Sequence, residues 1–172
     1  MMVFTFESLE DLHRVLDYSP WNIKGSLFFL KRWSAEEAIE DLDFTKAVYW
    51  VQVHNLPLEL ITVANAENIG ASLGVLLEVD NANCYKPVRK GFLRFRVLLN
   101  LLSPFTPGFT HHRPPMASLW VQYKYERLSD YCYTCGRIGH LSFAYAVDPR
   151  PPDHGRYGDM LKASSPKTNK VV

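Results

Sequence analysis

Cysteine is scarce in this chain, with three residues among 172. Long apolar runs are missing too: the longest nearly unbroken one covers residues 97–102 and is far too short to cross a bilayer. The N-terminus has no basic flank and meets an acid at Glu7, which excludes a signal peptide. In an unsignalled chain, three cysteines indicate thiols or a metal site instead of a disulfide framework. We therefore expect a protein that is neither secreted nor membrane-bound, with nucleus and cytoplasm both open.

Catalytic signatures are also missing. We find no Ser/His/Asp order, no phosphate-binding loop and no H-E-x-x-H motif. Cys132 near His140 is the one candidate nucleophile, but the glycines around it favour a metal site. We therefore predict that the chain is not an enzyme. The apolar fraction of 47% and the charged fraction of 22% exclude a wholly disordered chain.

The net charge of +1 hides a strong asymmetry. Residues 1–83 carry 5 Lys/Arg and 13 Asp/Glu, whereas residues 84–172 carry 14 Lys/Arg and 5 Asp/Glu. From residue 84 to residue 127, eight basic residues stand against one acid, Glu126. Two interpretations stay open: a surface that faces a polyanion such as nucleic acid, or two lobes that attract each other.

Local patterns predict an α+β fold with two lobes. In the first lobe we expect a strand over 3–6, a helix that Ser8 caps and Pro20 ends, and a strand over 26–30. In the second we expect strands over 48–54, 75–79, 92–99 and 118–125 and a helix over 60–73. Residues 103–116 carry four prolines and are expected to form a loop.

Three of these strands alternate between an apolar face and a face of aromatic and basic residues. If the strands pair, the second faces merge into one platform on which bases can stack and phosphates can meet cations. The alternative is that this face packs against the first lobe. The predicted platform residues are Trp50, Phe92, Arg94, Arg96, Trp120 and Lys124.

The same lobe resembles an RNA-recognition motif (RRM). Residues 51–57, VQVHNLP, look like the shorter ribonucleoprotein motif of that family, and residues 90–97, KGFLRFRV, look like the longer one. We add Lys90, the first residue of the longer motif, and Arg89 just before it to the predicted nucleic-acid contacts. Two departures make the lobe RRM-like only: Arg94 stands where an aromatic or small residue is usual, and a Pro-rich loop follows residue 99 where a helix is expected.

The sharpest motif is C-x2-C-G-x-x-G-H over residues 132–140. Cys132, Cys135 and His140 have the spacing of the first three ligands of a CCHC zinc knuckle, C-x2-C-x4-H-x4-C. Tyr133 and Ile138 stand where a knuckle has its apolar cleft for an unpaired base, with Arg137 beside them for phosphate. The alternative for this pair is the core of a very small fold.

The fourth ligand of the knuckle is due at position 145, where the chain has Tyr145. A neutral phenol is a poor zinc ligand, and Asp148 and His154 would be substitutes at unusual spacing. We therefore expect zinc binding to be weak or absent. Because so small a segment has little apolar core of its own, we also expect residues 130–147 to be largely mobile.

Taken in order, these landmarks resemble a plant domain-of-unknown-function family joined to a zinc knuckle and common in retrotransposon-derived, LINE-like proteins. The resemblance implies a Gag-like role in nucleic-acid binding, with zinc in the knuckle. The strand and helix that the family has ahead of Phe4 are missing, so the first lobe looks truncated. The matching stretches are 4–6 (FTF), 10–12 (EDL), 15–16 (VL), 19–21 (SPW), Leu30, Trp33, 49–53 (YWVQV), 56–57 (LP), 69–70 (IG), Gly74, 79–80 (VD), 94–97 (RFRV) and 125–128 (YERL) before 131–132 (YC).

These interpretations give one predicted organisation. Residues 1–127 form the truncated domain, with its RRM-like lobe at 48–127; residues 128–147 form a degenerate knuckle, and residues 148–172 form a disordered tail. The predicted function is binding of single-stranded RNA or DNA, with zinc in the knuckle and self-association left open. The alternative is a non-catalytic scaffold or an inactive transposon remnant whose knuckle binds a protein.

Overall fold

The computed structural model describes residues 2–80, 91–140 and 157–164. Its first lobe has helix α1, Leu9–Asp17, and a hairpin of strands β1, Trp21–Ile23, and β2, Ser26–Phe28. The Oγ atom of Ser8 accepts a hydrogen bond from the backbone of Glu10, as the predicted cap requires. The strand predicted over 3–6 is wrong, because these described residues have no regular secondary structure.

The second lobe contains a six-stranded sheet with one helix, α2, Val63–Leu73, on one face. The strands are β3, Lys46–His54; β4, Val75–Val79; β5, Leu93–Asn100; β6, Gly108–Arg113; β7, Met116–Glu126; and β8, Lys162–Ala163. They run in the spatial order β4–β5–β3–β7–β6, all antiparallel, and β8 pairs in parallel with β7. The predicted mixed α+β class is therefore confirmed.

The core lies on the apolar face of this sheet. Alternate side chains of the three central strands are buried there, as their period of two predicts. Helix α2 lies close to strands β4 and β5 because Gly70 has no side chain: a Cβ at this position would come within 2.6 Å of the Leu76 side chain. The buried residues of the three strands are Tyr49, Val51, Val53, Leu93, Phe95, Val97, Val121, Tyr123 and Tyr125.

Two predicted irregular segments contain regular structure. Within the expected loop at 103–116, β6 pairs with β7. The sequence pattern did not indicate this strand because prolines flank it, and prolines are compatible with a strand at the edge of a sheet. Within the expected disordered tail at 148–172, a 3-10 turn at Asp159–Leu161 leads into β8. Leu161 is fully buried in the main core, which explains why this polar segment is ordered. Among the described residues, no helix is long and apolar enough to span a membrane.

Candidate metal centre and nucleic-acid interface

The C-x2-C segment folds as a tight turn that points two thiols to the same side. The backbone N–H of Cys132 donates to the carbonyl of Arg137 at 2.8 Å, and the N–H of Gly136 donates back to the carbonyl of Cys132 at 2.9 Å. A bridge between Tyr131 and Ile138 closes the turn. The segment therefore has the doubled-back backbone that the glycine spacing predicts.

Gly136 is required at its position for two reasons. Its φ of +71° is in the left-handed region, and a Cβ there would come within 2.4 Å of the Tyr157 ring. Gly139 has a φ of +89° but open space around it. Any side chain at Gly136 would therefore displace either the turn that carries the thiols or the ring packed on it.

The three predicted metal ligands converge. One donor atom each from Cys132, Cys135 and His140 lies within 4.8 Å of the other two, and Cys135 Sγ is 3.2 Å from His140 Nε2. The 3.2 Å separation of Cys135 and His140 suits two donors that share one tetrahedral zinc ion at about 2.0–2.3 Å from each. Burial raises the pKa of the Cys135 thiol, so zinc would have to displace its proton on binding.

The fourth ligand stays a prediction. The cluster of donors in the described part of the chain has three members. Tyr145, Asp148 and His154 lie outside the described residues. Three ligands fit a zinc ion but do not close a structural site, so the donor set agrees with weak binding.

The knuckle turn is anchored to the main core, which the sequence did not predict. The ring of Tyr131 packs edge-on against Phe105 and Tyr157, each with its ring centroid 6.1 Å away. The N–H of Phe105 donates to the carbonyl of Gly136 at 2.7 Å. The turn thus packs on the main core through Tyr131 and Ile138, and the expected mobility of residues 130–147 stays a prediction.

The predicted base cleft of the knuckle is only partly open. The exposed Tyr133 uses its hydroxyl twice: it donates to Asp159 at 2.5 Å and accepts from the Lys162 ammonium at 2.9 Å. That ammonium also lies 5.4 Å from the centre of the Tyr133 ring. Arg137, on the same turn, is exposed. The Lys162 ammonium is paired with Asp159 at 2.8 Å, so Tyr133, Asp159 and Lys162 form one hydrogen-bonded cluster beside the knuckle turn.

The register of the sheet places the predicted platform residues on one face. Trp50 lies opposite Arg96, and Gln52 lies opposite both Arg94 and Lys124. Trp120 shares this face because it is four residues before Lys124 on β7. Phe92 precedes β5 and stacks on His54, with ring centroids 4.9 Å apart.

The expectation that Arg94 contacts phosphate is not supported by its position. Its guanidinium binds the carboxylate of Glu126 through Nε at 2.7 Å and Nη2 at 3.0 Å, and reaches Asp80 at 3.3 Å. It also lies 3.6 Å from the centre of the Trp50 ring. Arg94 therefore acts as an internal cation that shields one face of Trp50 from a stacking base.

Arg96 is also engaged within the protein. Its Nη1 atom lies 3.2 Å from a carboxylate oxygen of Asp17, at the end of α1, and 3.9 Å from one of Glu78. Arg96 is thus not the free phosphate contact that the alternation predicted. The first lobe reaches the aromatic and basic face here, as the alternative interpretation held. On the same face, Lys124 has no carboxylate within 4 Å in the described residues.

Sequence reasoning missed Glu126 as the centre of a buried network. Its side chain is 3% exposed and also accepts from Gln52 Nε2 at 2.7 Å. The sequence feature that could have indicated this role is that Glu126 is the one acid among eight basic residues from residue 84 to residue 127. Nearby, His54 bonds Gln52 at 3.0 Å, and burial, assisted by Lys124, lowers its pKa to about 4. Arg89 and Lys90 lie outside the described residues.

Two parts of the chain match known protein families. Residues 1–41 match the family described as a Domain of unknown function (DUF4283), and residues 115–145 match the family described as Zinc knuckle. No curated protein and no solved structure gave a significant match. The knuckle match covers all three converging donors as well as position 145.

Proposed function

We propose that this protein binds single-stranded nucleic acid through a zinc-organised knuckle and that it derives from a plant retrotransposon. The observation that carries the proposal is the convergence of Cys132, Cys135 and His140 within 4.8 Å on a turn that matches a knuckle family. Zinc bound there would hold the two ends of the turn together and neutralise its thiolates. The proposed activity is binding and not catalysis.

The surroundings of the knuckle support this proposal. Arg137 is exposed on the turn itself, and Lys162, which is paired with Asp159 at 2.8 Å, lies 5.4 Å from the centre of the Tyr133 ring. Lys124 adds a cation on the sheet, on the same face as Phe92 and Trp120. Cations beside aromatic rings suit a single strand, since phosphates bind the cations while bases stack on rings. The RRM-like resemblance of the sheet agrees with the same ligand class.

The fourth ligand gives the sharpest test of the zinc part. A cobalt titration, followed by the thiolate charge-transfer band, is run on the wild type, Tyr145→Cys and Tyr145→Phe. Because three ligands leave the site open, Tyr145→Cys should bind the metal at least tenfold more tightly, and Tyr145→Phe should match the wild type. If the wild type already binds as tightly as Tyr145→Cys, another residue supplies the fourth ligand.

Nucleic-acid binding is tested by fluorescence anisotropy with labelled single-stranded RNA and DNA. Affinity should fall steeply with salt, and both chelation of zinc and Cys132→Ser should weaken it. Thr134→Ala, a change in the same turn that leaves the donors, should bind as the wild type does. Equal binding before and after chelation would remove zinc from the function, and no binding by either form would refute the proposal.

A scaffold role is the second candidate, because the first lobe has a large apolar groove. The groove has a volume of about 640 Å³ and lies between the amphipathic α1 and the segment that follows β2. Phe4 and Trp33 line it and are exposed. Binding that hardly responds to salt and is lost on Phe4→Ser would favour this function over binding of a polyanion.

A further inference from the structure

The linker over residues 127–130 joins strand β7 to the knuckle turn, and the residue at each of its ends has a left-handed backbone. The φ angles are +60° for Arg127 and +47° for Asp130. Residues other than glycine rarely adopt this conformation, and aspartate tolerates it better than most. Such a conformation persists where contacts from the surrounding fold hold it. The contacts of these two residues therefore decide how the linker, and the turn that follows it, is placed.

The contacts that hold the linker come from the first lobe. On strand β2 of the hairpin, the N–H of Leu27 donates to Asp130 Oδ2 at 2.7 Å. At the other end of the linker, Arg127 donates to the carbonyl of Tyr18 and lies 5.1 Å and 5.2 Å from the centres of the Tyr18 and Trp21 rings. Both left-handed residues of the linker are thus bound to the first lobe by their side chains.

The backbone of Asp130 belongs to the knuckle turn. Its carbonyl accepts from the N–H of Gly139 at 2.9 Å, and this bond follows the bridge between Tyr131 and Ile138 at the open end of the turn. His140, the third metal donor, comes directly after Gly139. The place of the imidazole relative to the two thiols therefore depends on a backbone bond whose acceptor residue is held by the first lobe.

We propose that Asp130 is a positioning residue for the metal site, and that through it zinc binding and docking of the first lobe stabilise each other. The side chain of Asp130 holds the hairpin, while its carbonyl holds the backbone that precedes His140. If the contact with Leu27 strengthens zinc binding by some factor, zinc must strengthen that contact by the same factor. The inference rests on the zinc part of the proposed function and deepens it, since it names a residue outside the knuckle motif that sets the metal affinity.

The first experiment is a cobalt titration of the full chain with substitutions at Asp130, made in the wild type and in Tyr145→Cys so that weak binding does not hide an effect. Asp130→Ala should weaken metal binding by about tenfold, the lower end of the range for residues that orient metal ligands. Asp130→Asn keeps an acceptor oxygen and tolerates the left-handed conformation, so it should stay within about twofold of its parent. Asp41→Ala removes an exposed acid of the first lobe and is the charge control, which should bind as its parent does.

Asp130→Gly separates the carboxylate contact from the backbone conformation. Glycine adopts a positive φ without strain but cannot accept from Leu27, so this variant should weaken metal binding about as much as Asp130→Ala. A purely local backbone role would instead be rescued by glycine. Metal affinity equal to that of the parent in Asp130→Gly would therefore overturn the proposal.

The second experiment reads the contact from the side of the first lobe and needs no substitution at Asp130, so a folding defect cannot confuse it. Hydrogen exchange of the Leu27 amide is measured by NMR with and without zinc, in the wild type and in Tyr145→Cys. Zinc should slow this exchange by about tenfold, close to the factor that Asp130→Ala removes from the metal affinity. The amide of Gly25, which donates to Asn22 within the hairpin at 2.9 Å, should change little. Saturating zinc that leaves the exchange of Leu27 unchanged would overturn the proposal.

Failure of this inference is distinguishable from failure of the proposed function. If zinc binds and supports oligonucleotide binding while Leu27 does not respond to it, the proposed function stands and the role of Asp130 is wrong. If zinc slows the exchange of Leu27 but oligonucleotides do not bind, the role of Asp130 stands and the proposed function is wrong. Absence of metal binding even in Tyr145→Cys would refute both.

Discussion

Removal of the Glu126 carboxylate should destabilise the protein strongly. Glu126 accepts three hydrogen bonds, two from Arg94 and one from Gln52, at 2.7–3.0 Å. In Glu126→Ala, the Arg94 guanidinium, in a side chain 14% exposed, keeps only Asp80 at 3.3 Å as a carboxylate partner. Deletion of one partner of a buried ion pair costs about 3–5 kcal/mol, because the other charge stays buried.

The remaining contact with Asp80 places the expected loss near the lower end of this range, about 3 kcal/mol. For a chain of this length, that loss corresponds to a fall in Tm of about 6–12 °C. Thermal and urea unfolding followed by circular dichroism measure both quantities. Glu59→Ala, which removes an exposed glutamate, is the matched control and should change stability by less than about 0.5 kcal/mol.

Two results would refute this account of Arg94. The first is a decrease of less than about 1 kcal/mol in the free energy of unfolding of Glu126→Ala, since an exposed ion pair contributes only that much to stability. The second concerns the double variant Arg94→Met with Glu126→Leu, which replaces the pair by apolar groups. It should regain much of the stability, because neither charge is then buried alone. A double variant less stable than Glu126→Ala would contradict the reasoning.

Two further predictions concern His54 and the C-terminal segment. Burial lowers the pKa of His54 to about 4, so between pH 6.5 and 4 the unfolded chain binds more protons than the folded one, and the free energy of unfolding falls as the pH drops through this window. In urea unfolding at a series of pH values, His54→Asn should make this fall less steep, and an unchanged pH dependence would contradict the reasoning. Leu161→Ala should lower the free energy of unfolding by about 2–5 kcal/mol, because the side chain is fully buried. A change near zero would mean that this segment is disordered, as the sequence predicted.

The elements that sequence reasoning predicted correctly are those with strong local signals. Strands β3, β5 and β7 alternate over most of their length, and their shared apolar face follows from that period alone. The knuckle turn was predicted for a similar reason: Gly136 and Gly139 fix the backbone locally, whatever the rest of the chain does. Convergence of the three donors is therefore a local property of nine consecutive residues.

The errors arise where a partner distant in sequence decides the outcome. Whether Arg94 faces a phosphate or a carboxylate depends on Glu126, 32 residues away, and strand register, which composition does not reveal, brings the two together. The order of residues 157–164 depends on one leucine that enters a core built from other strands. In both cases the local pattern described the segment itself but did not indicate which distant residues it contacts.

The charge asymmetry has a structural counterpart that bears on where a strand would bind. The acidic first lobe reaches the basic half through Asp17 and Arg96, and Arg127 donates to the carbonyl of Tyr18. These contacts use arginines of the sheet face inside the protein. Lys124 and Arg137, in contrast, have no carboxylate within 4 Å among the residues that the structure describes. Arg137 lies on the knuckle turn itself and Lys124 on the sheet, so under the proposed function a strand should contact these two cations and not the paired Arg94 and Arg96.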